Sequence, residues 1–421
     1  MKSKKNTVLV KQVGNWAVII KKQLGLLWVS MKSKWNQLKP HNQKKWAFAA
    51  LSSLLIVVLS YLWSNKPLPF FDRLDGYYLT QRLILDDFDK DDVESVFFST
   101  EVDKELVSYF DDKIKVGNIA ISSRKQILRL LQMADSCGNY KYIFVDILFD
   151  DIQGDSATEA ELFSLISKMD RICVVKRLDD QRNPIPLRDS RLEKKSAYNE
   201  YYLNNMWSDF RHYPFFIKNE KSVPLRMYEE TDSVRMKKLL GGLLYIQGSN
   251  ICFGCPIIRL SSSMEKSKFK KPYLLGFSLD NEFSDLEDLR SEIRNKVVWI
   301  GDFQNDVHNT YVGTVSGTAL AYSAYLTLHQ NRHIIRWWQV FLEFLLYMFI
   351  VVALLFSWWP QLVERLTSSP FLQWVFSFIS YGIVLTIWSL LLFVTTGTIW
   401  NTFIPSISFA FIRFLKNKNV V

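Results

Sequence analysis

The sequence predicts an α/β protein: a domain with a mostly parallel sheet flanked by helices, held by four transmembrane α-helices. Three observations carry this. Between residues 66 and 335, short continuously apolar strands alternate with amphipathic helices, the pattern of a parallel sheet buried on both faces. Elsewhere, hydrophobic runs of about 18–23 residues are long enough to cross a bilayer as helices. The charge is also lopsided: residues 1–45 hold eleven lysines and no acid, and the last nine residues add three positive charges.

With a net charge of +10 overall, the stretch between those basic ends is net acidic. A chain that is 48% hydrophobic and 22% charged, with such runs, is neither disordered nor a purely soluble enzyme. No G-x-x-x-x-G-K-S/T or G-x-G-x-x-G loop occurs, so nucleotide sites of those kinds are absent. The positive charge abuts membrane spans instead of forming a basic groove, which argues against a nucleic-acid partner.

Residues 1–45 read as a cytoplasmic basic amphipathic segment. Val10, Val13, Ala17, Ile20, Leu24, Leu27, Met31 and Trp35 recur at three- and four-residue spacing, with the lysines mostly on the other side. Such a helix suits the anionic inner leaflet, making membrane lipids a partner. A helix packed on another protein, or a basic tail, fits the same residues.

The first span is 46–63, bracketed by Trp46 and Trp63; the others are 337–356, 371–393 and 394–412, followed by a tail at 413–421. Twelve of fourteen tryptophans lie outside 66–335, as expected of rings that prefer the headgroup level. The lysine-rich start stays in the cytoplasm, so one span carries 66–335 outside and three more return Arg413, Lys416 and Lys418 inside. A cleaved signal peptide fits the first span poorly, because the run starts late and lacks a small-x-small site. Glu343, a shallow intramembrane acid in the second span, reads as a snorkelling or helix-to-helix hydrogen-bonding group.

Within the outer domain, strands are expected at 116–121, 142–148, 172–175, 243–246, 257–260, 273–277 and 297–300, and helices at 124–137, 158–169 and 318–329. Two strands run straight into acids. The first, IFVDILFDD, gives Asp146, Asp150 and Asp151, with Asp155 beyond; the second, VVWIGDFQNDVHNT, gives Asp302, Asp306, His308 and Thr310. Parallel sheets bind ligands beyond the carboxyl ends of their strands. Asp146, Asp302, Asp306, His308 and Thr310 are therefore the candidate ligand-binding residues. Loop aspartates also cap helices and shape turns, which is the competing reading. Asp146 sits among apolar neighbours and needs a partner, which Arg124 or Lys125 could supply. No Ser-His-Asp order or dense histidine set appears, so no catalytic residue, metal or cofactor is assigned and the chain is not read as an enzyme.

The succession of IAISSRKQILRLLQ, YIFVDILFDD and KVVWIGDFQNDVHNTYVGTVSGTALAYSAYLTL, then hydrophobic spans, resembles the second class of CHASE domains. The name abbreviates cyclases/histidine kinases associated sensory extracellular domain. The resemblance implies a bacterial inner-membrane protein whose periplasmic sensor lies between one N-terminal span and usually three C-terminal ones. Members often continue into a cyclase, kinase or phosphodiesterase; this chain ends nine residues after Ile412, so its output is expected from a separate signalling partner. The rival expectation is a structural or accessory subunit of a membrane complex, and self-association is left open. Cys252 and Cys255 form a C-x-x-C without a following histidine, which removes covalent haem; a local disulfide or two packed thiols both fit.

Overall fold

The computed structural model describes residues 40–64, 94–111, 114–149, 154–179, 181, 183–199, 202–204, 209–217, 219–254, 272–283, 285–310, 313–356, 369–396 and 402–418. The amphipathic segment before residue 40, Asp150, Asp151, Cys255 and the strand expected at 257–260 lie outside the described residues. So does the possible partner of Cys252, and the disulfide expectation with it.

The chain opens with α1 (Pro40–Ser64), six residues longer at its start than the expected span. The domain begins with β1 (Ser95–Ser99) and an antiparallel hairpin of β2 (Lys104–Asp111) and β3 (Ile114–Ser122). Helix α2 (Arg124–Cys137) follows, its start capped by Ser123 Oγ and its end by Gly138 at a left-handed φ of 66°. Next come β4 (Tyr142–Val145), α3 (Ser156–Lys168), β5 (Ile172–Lys176) and β6 (Ser196–Tyr198). Two small hairpins, β7 (Tyr202–Asn204) with β8 (Asp209–His212) and β9 (Phe216–Ile217) with β10 (Glu220–Lys221), lead to α4 (Val223–Thr231).

The second half holds β11 (Met236–Leu239), β12 (Leu244–Gln247), β13 (Asn250–Cys252), β14 (Tyr273–Leu274), α5 (Leu275–Asn281) and α6 (Leu286–Ile293). It continues through β15 (Val297–Gly301), a hairpin of β16 (Val307–Thr310) and β17 (Gly313–Ser316), α7 (Gly317–His329) and β18 (Ile334–Ile335). Among the described residues, three helices follow: α8 (Trp337–Leu355), α9 (Pro370–Thr396) and α10 (Phe403–Asn417).

Six parallel strands form the central sheet in the order β14-β1-β15-β4-β5-β6. The crossovers β1 to β4, β4 to β5 and β14 to β15 all move the same way across the sheet. Their helices α2, α3, α5 and α6 all pack on one face, as a single crossover hand requires. Alternate strand residues face opposite ways. Val96, Phe98, Ile143, Val145, Val298 and Ile300 meet those helices, while Phe97, Tyr142, Phe144, Val297 and Trp299 meet α4 and α7. The result is a mixed α/β domain with helices on both faces of a mostly parallel sheet.

Several sequence expectations change. The central strand β1 was not anticipated. The strand expected at 116–121 forms, but in the β2–β3 hairpin outside the parallel sheet. The one expected at 273–277 keeps two strand residues and then turns into α5, where Asp103 accepts from Gly276 N–H at 2.8 Å.

Among the described residues, three helices are long and apolar enough to cross a membrane: Asn42–Ser64, Trp337–Leu355 and Phe371–Leu392. The fourth expected span, 394–412, is displaced: α9 runs on to Thr396, and α10 starts only at Phe403 and takes in Arg413 and Lys416. Its 15 residues measure about 22 Å, against the roughly 30 Å of a hydrocarbon core.

The chain separates into two compact units. One comprises α1 to Val58, Phe341–Tyr381 and the chain from Pro405; the other comprises Leu59–Val340 with Gly382–Ile404. In the first, α10 runs antiparallel to α9: Phe409 meets Tyr381 with ring centroids 5.9 Å apart, and Arg413 donates to Ser377 Oγ at 2.7 Å. Glu343 is buried there. The second unit holds the α/β domain and an antiparallel sheet, β11-β12-β13-β18.

Candidate functional site

Asp146 follows the last residue of β4, where its backbone N–H donates to Ile300 O at 2.8 Å and places it beside the end of β15. Its carboxylate accepts from Thr318 Oγ1 at 2.9 Å and from Asn199 Nδ2 at 3.2 Å. Thr318 lies in the first turn of α7, and Asn199 directly follows β6. Asp146 is thus held by the ends of two strands and one helix start. Arg124, the partner considered from the sequence, is engaged elsewhere. Its Nε donates to Glu159 Oε1 at 3.4 Å and its Nη2 to Leu148 O at 3.2 Å.

Two glycines let α7 approach this closely. A Cβ on Gly301 would strike Thr318 Oγ1 and come within 3.2 Å of Asp146 Cβ. One on Gly317 would strike Asp306 Oδ2 and lie 3.3 Å from His308 Nε2. Asp306 and His308 therefore sit over the start of α7, joined by an ion pair of 3.1 Å between Oδ1 and Nε2, and Gly317 N–H donates to Asp306 O at 2.9 Å.

Burial first, then the charge of Asp306, pushes the Asp146 carboxyl up to about 7, against the Thr318 and Asn199 hydrogen bonds and the His308 charge. His308 is held above its usual value by its hydrogen bond to Asp306, which outweighs its partial burial; the charges of Asp306 and Asp146 add to this. One half-buried acid, one exposed acid and one half-buried imidazole thus share a small region, and their charge states are linked. Such a group can accept a proton, or offer both an acceptor and a donor to a polar ligand.

Asp302 does not join them. Its carboxylate pairs with Lys104 Nζ at 2.6 Å and accepts from the backbone of Gln304 and Asn305, shaping the loop after β15. Burial opposes its ionisation, but those donors hold it below the usual carboxylate range. Thr310 is buried at the end of β16 opposite Gly313, on the same strand face as His308 but one step farther along the hairpin. Asp155 caps α3 by accepting from Thr158 N at 2.9 Å. Cys252 is buried with its thiol pushed up to about 12 by that burial. Among the described residues, no three His, Cys, Asp or Glu side chains stand close enough to hold a metal ion.

Thr318 and Asn199 were not anticipated. Thr318 lies inside the V-S-G-T run that opens a helix, where a hydroxyl reads first as a cap. Asn199 belongs to a polar stretch with no periodicity, and nothing in its neighbours ties it to β4. No family model, curated protein or solved structure matches the chain.

Proposed function

We propose that this is a membrane-anchored sensory protein whose extracytoplasmic domain binds a small polar ligand or a proton and passes the state to a partner. The observation that carries the reading is the convergence of Asp146, Asp306 and His308, with Thr318 and Asn199, at the carboxyl edge of a parallel sheet. That edge is where such sheets bind ligands. The likeness of residues 296–328 to the second class of CHASE domains points the same way. A direct route leads onward. The site lies at the start of α7, and α7 is followed by β18 and then, after Arg336, by α8.

The same proposal sets the topology. Eleven lysines before residue 46 keep the start in the cytoplasm. Arg413 on Ser377 and Lys416 on the carbonyl of Leu354 at 2.6 Å set the basic end of α10 beside the start of α9 and the end of α8, which this topology assigns to the cytoplasmic side, although α10 is shorter than a full span. A membrane-impermeant maleimide added to intact cells is expected to label Asp280→Cys and to spare Lys5→Cys, with the parent chain as background. Labelling of the Lys5 site would overturn the orientation.

A test of the site itself uses thermal unfolding of the full chain in detergent against a panel of small polar molecules and divalent cations. A compound that occupies the site raises the melting temperature of the parent, and this shift disappears in Asp146→Asn and His308→Ala. An equal shift in all three proteins would place binding elsewhere. The second reading, an accessory subunit, draws on the exposed Leu106 of β2 and Val102 just before that strand, apolar side chains suited to another protein.

A further inference from the structure

The sheet β11-β12-β13-β18 has two unlike faces. Met236 and Cys252 point into the domain core, with Tyr245 and Ile334 packed beside them. The opposite face carries three apolar cross-strand pairs, Leu239 with Leu244, Ile246 with Ile251, and Ile251 with Ile335, with Lys237 opposite Ile246 on the edge strand. Ile251 remains 40% exposed and Leu239 39%, although apolar pairs of this kind ordinarily face a core.

The loop joining β11 to β12 adds to this surface at a conformational cost. Leu240 has φ of 48°, and Gly241 and Gly242 follow at 67° and 96°. A bulky residue in left-handed backbone is disfavoured, yet Leu240 is 75% exposed and so recovers no burial within the chain. Leu243 beside it is also exposed. Folding alone would favour asparagine or glycine at position 240.

Continuity identifies what covers this face. Phe253 and Ile335 form a cluster with Tyr61, Trp338, Val340, Trp388 and Leu392, at the ends of the three long apolar helices. Tyr61 also donates to the carbonyl of Cys252 at 3.1 Å. Lys237 lies on the same strand face as Leu239 and Arg235 immediately precedes that strand; both are exposed. An apolar surface edged with basic groups, continuous with helix ends, has the chemistry of a monotopic membrane contact.

We infer that the outer face of the β11-β12-β13-β18 sheet, with the Leu240–Leu243 loop, rests in the interfacial layer of the lipid bilayer. Leu240 and Leu243 enter the acyl boundary, and Arg235 and Lys237 meet lipid phosphates. This rests on the reading that α1, α8 and α9 cross a membrane. It deepens that reading by making the sheet that receives α7 a lipid-contacting element as well.

The test places an environment-sensitive fluorescent amino acid, one site at a time, at Leu240, Leu51 and Leu106 of the full chain in lipid nanodiscs. Leu51 is 70% exposed on α1, and Leu106 is 76% exposed on β2. Quenching is read with nitroxide-labelled phosphatidylcholine and with aqueous iodide. The expected result is that the Leu240 and Leu51 probes lose most of their emission to nitroxide lipid and resist iodide, while the Leu106 probe does the reverse. The same label at Leu243 gives an independent reading if the first variant fails to fold. A Leu240 probe that behaves like Leu106 while Leu51 is quenched by lipid overturns the inference and leaves the spans intact. A Leu51 probe untouched by lipid overturns the membrane reading itself. A Leu240 probe shielded from both quenchers means protein covers the loop, a second copy included, and also overturns the inference.

Discussion

Glu159→Ala is expected to destabilise the domain by about 3–5 kcal/mol, the usual consequence of removing one partner from a buried ion pair. Glu159 is 2% exposed, and so is Arg124, whose guanidinium it accepts; Arg188 donates to its other oxygen and Gly154 N–H to the first at 2.9 Å. The carboxylate thus joins α3 to α2 and to the loop after β4. Arg124 also lies over the Phe149 ring, 4.7 Å from its centroid, so it cannot turn to water without opening the core. Denaturant unfolding of the purified protein measures the loss. Pairing Glu159→Met with Arg124→Leu should recover much of it, because the desolvated charges then disappear together. A single Glu159→Ala change costing under about 1 kcal/mol, the range of surface pairs, would mean the pair is solvated.

Trp299→Ala is expected to cost a similar amount, about 3–5 kcal/mol, for a different reason. Trp299 is fully buried at the centre of the sheet, with Phe144 and Tyr322 rings 5.4 Å away, Tyr325 at 5.9 Å and Phe97 at 6.4 Å. Its Nε1 donates to Ser95 Oγ at 3.2 Å. Alanine would leave a cavity walled by aromatic rings from two strands and α7, none of which can collapse into it without shifting the backbone. Trp299→Phe should lose clearly less, since most of the apolar volume remains. Equal losses for alanine and phenylalanine would show that the hydrogen bond to Ser95, and not packing, dominates at this position.

Much of the domain was legible because local signals agree there. Helix α2 forms over 124–137 as expected, since Ser123 and Gly138 mark its ends and Ile127, Leu130, Leu131 and Ala134 recur on one face. Strands β4, β5 and β15 are continuous apolar runs buried on both faces. Strand β1 was missed because it is five residues long and follows a run of acids with no turn signal. Periodicity identified β3 as a strand but carries no information on its partner, which is β2 and not the central sheet. At 394–412 the sequence is mostly apolar and uncharged throughout, so hydropathy could not tell the end of α9 from the start of α10.

The site divides along the same line. Asp146, Asp306 and His308 are legible in the sequence because each is a polar group shortly after a buried apolar strand. Asp302 satisfied that rule equally well, but Lys104, brought near by the β2–β3 hairpin, takes its carboxylate. Thr318 and Asn199 reach Asp146 only through the parallel register of β15, β4, β5 and β6. That register is a property of the assembled sheet.

The measurement that bears most directly on the site is the melting temperature of the full chain against pH, for the parent and for Asp146→Asn. A free aspartate releases its proton near pH of about 4, whereas Asp146 in the fold holds its proton up to about 7. Between those values the folded protein carries a proton that the unfolded chain has lost. Stability therefore falls as pH rises through that window and levels off above it. His308, held above its usual value, acts with the same sign: its contribution is complete below about pH 6.5 and is lost as pH rises through its folded value. The account predicts that the parent loses stability from about pH 4 to about pH 7, and that Asp146→Asn flattens this decline while matching or exceeding the parent above it. Parallel profiles for the two proteins across the whole range would contradict a half-buried, proton-holding carboxyl at the centre of the site.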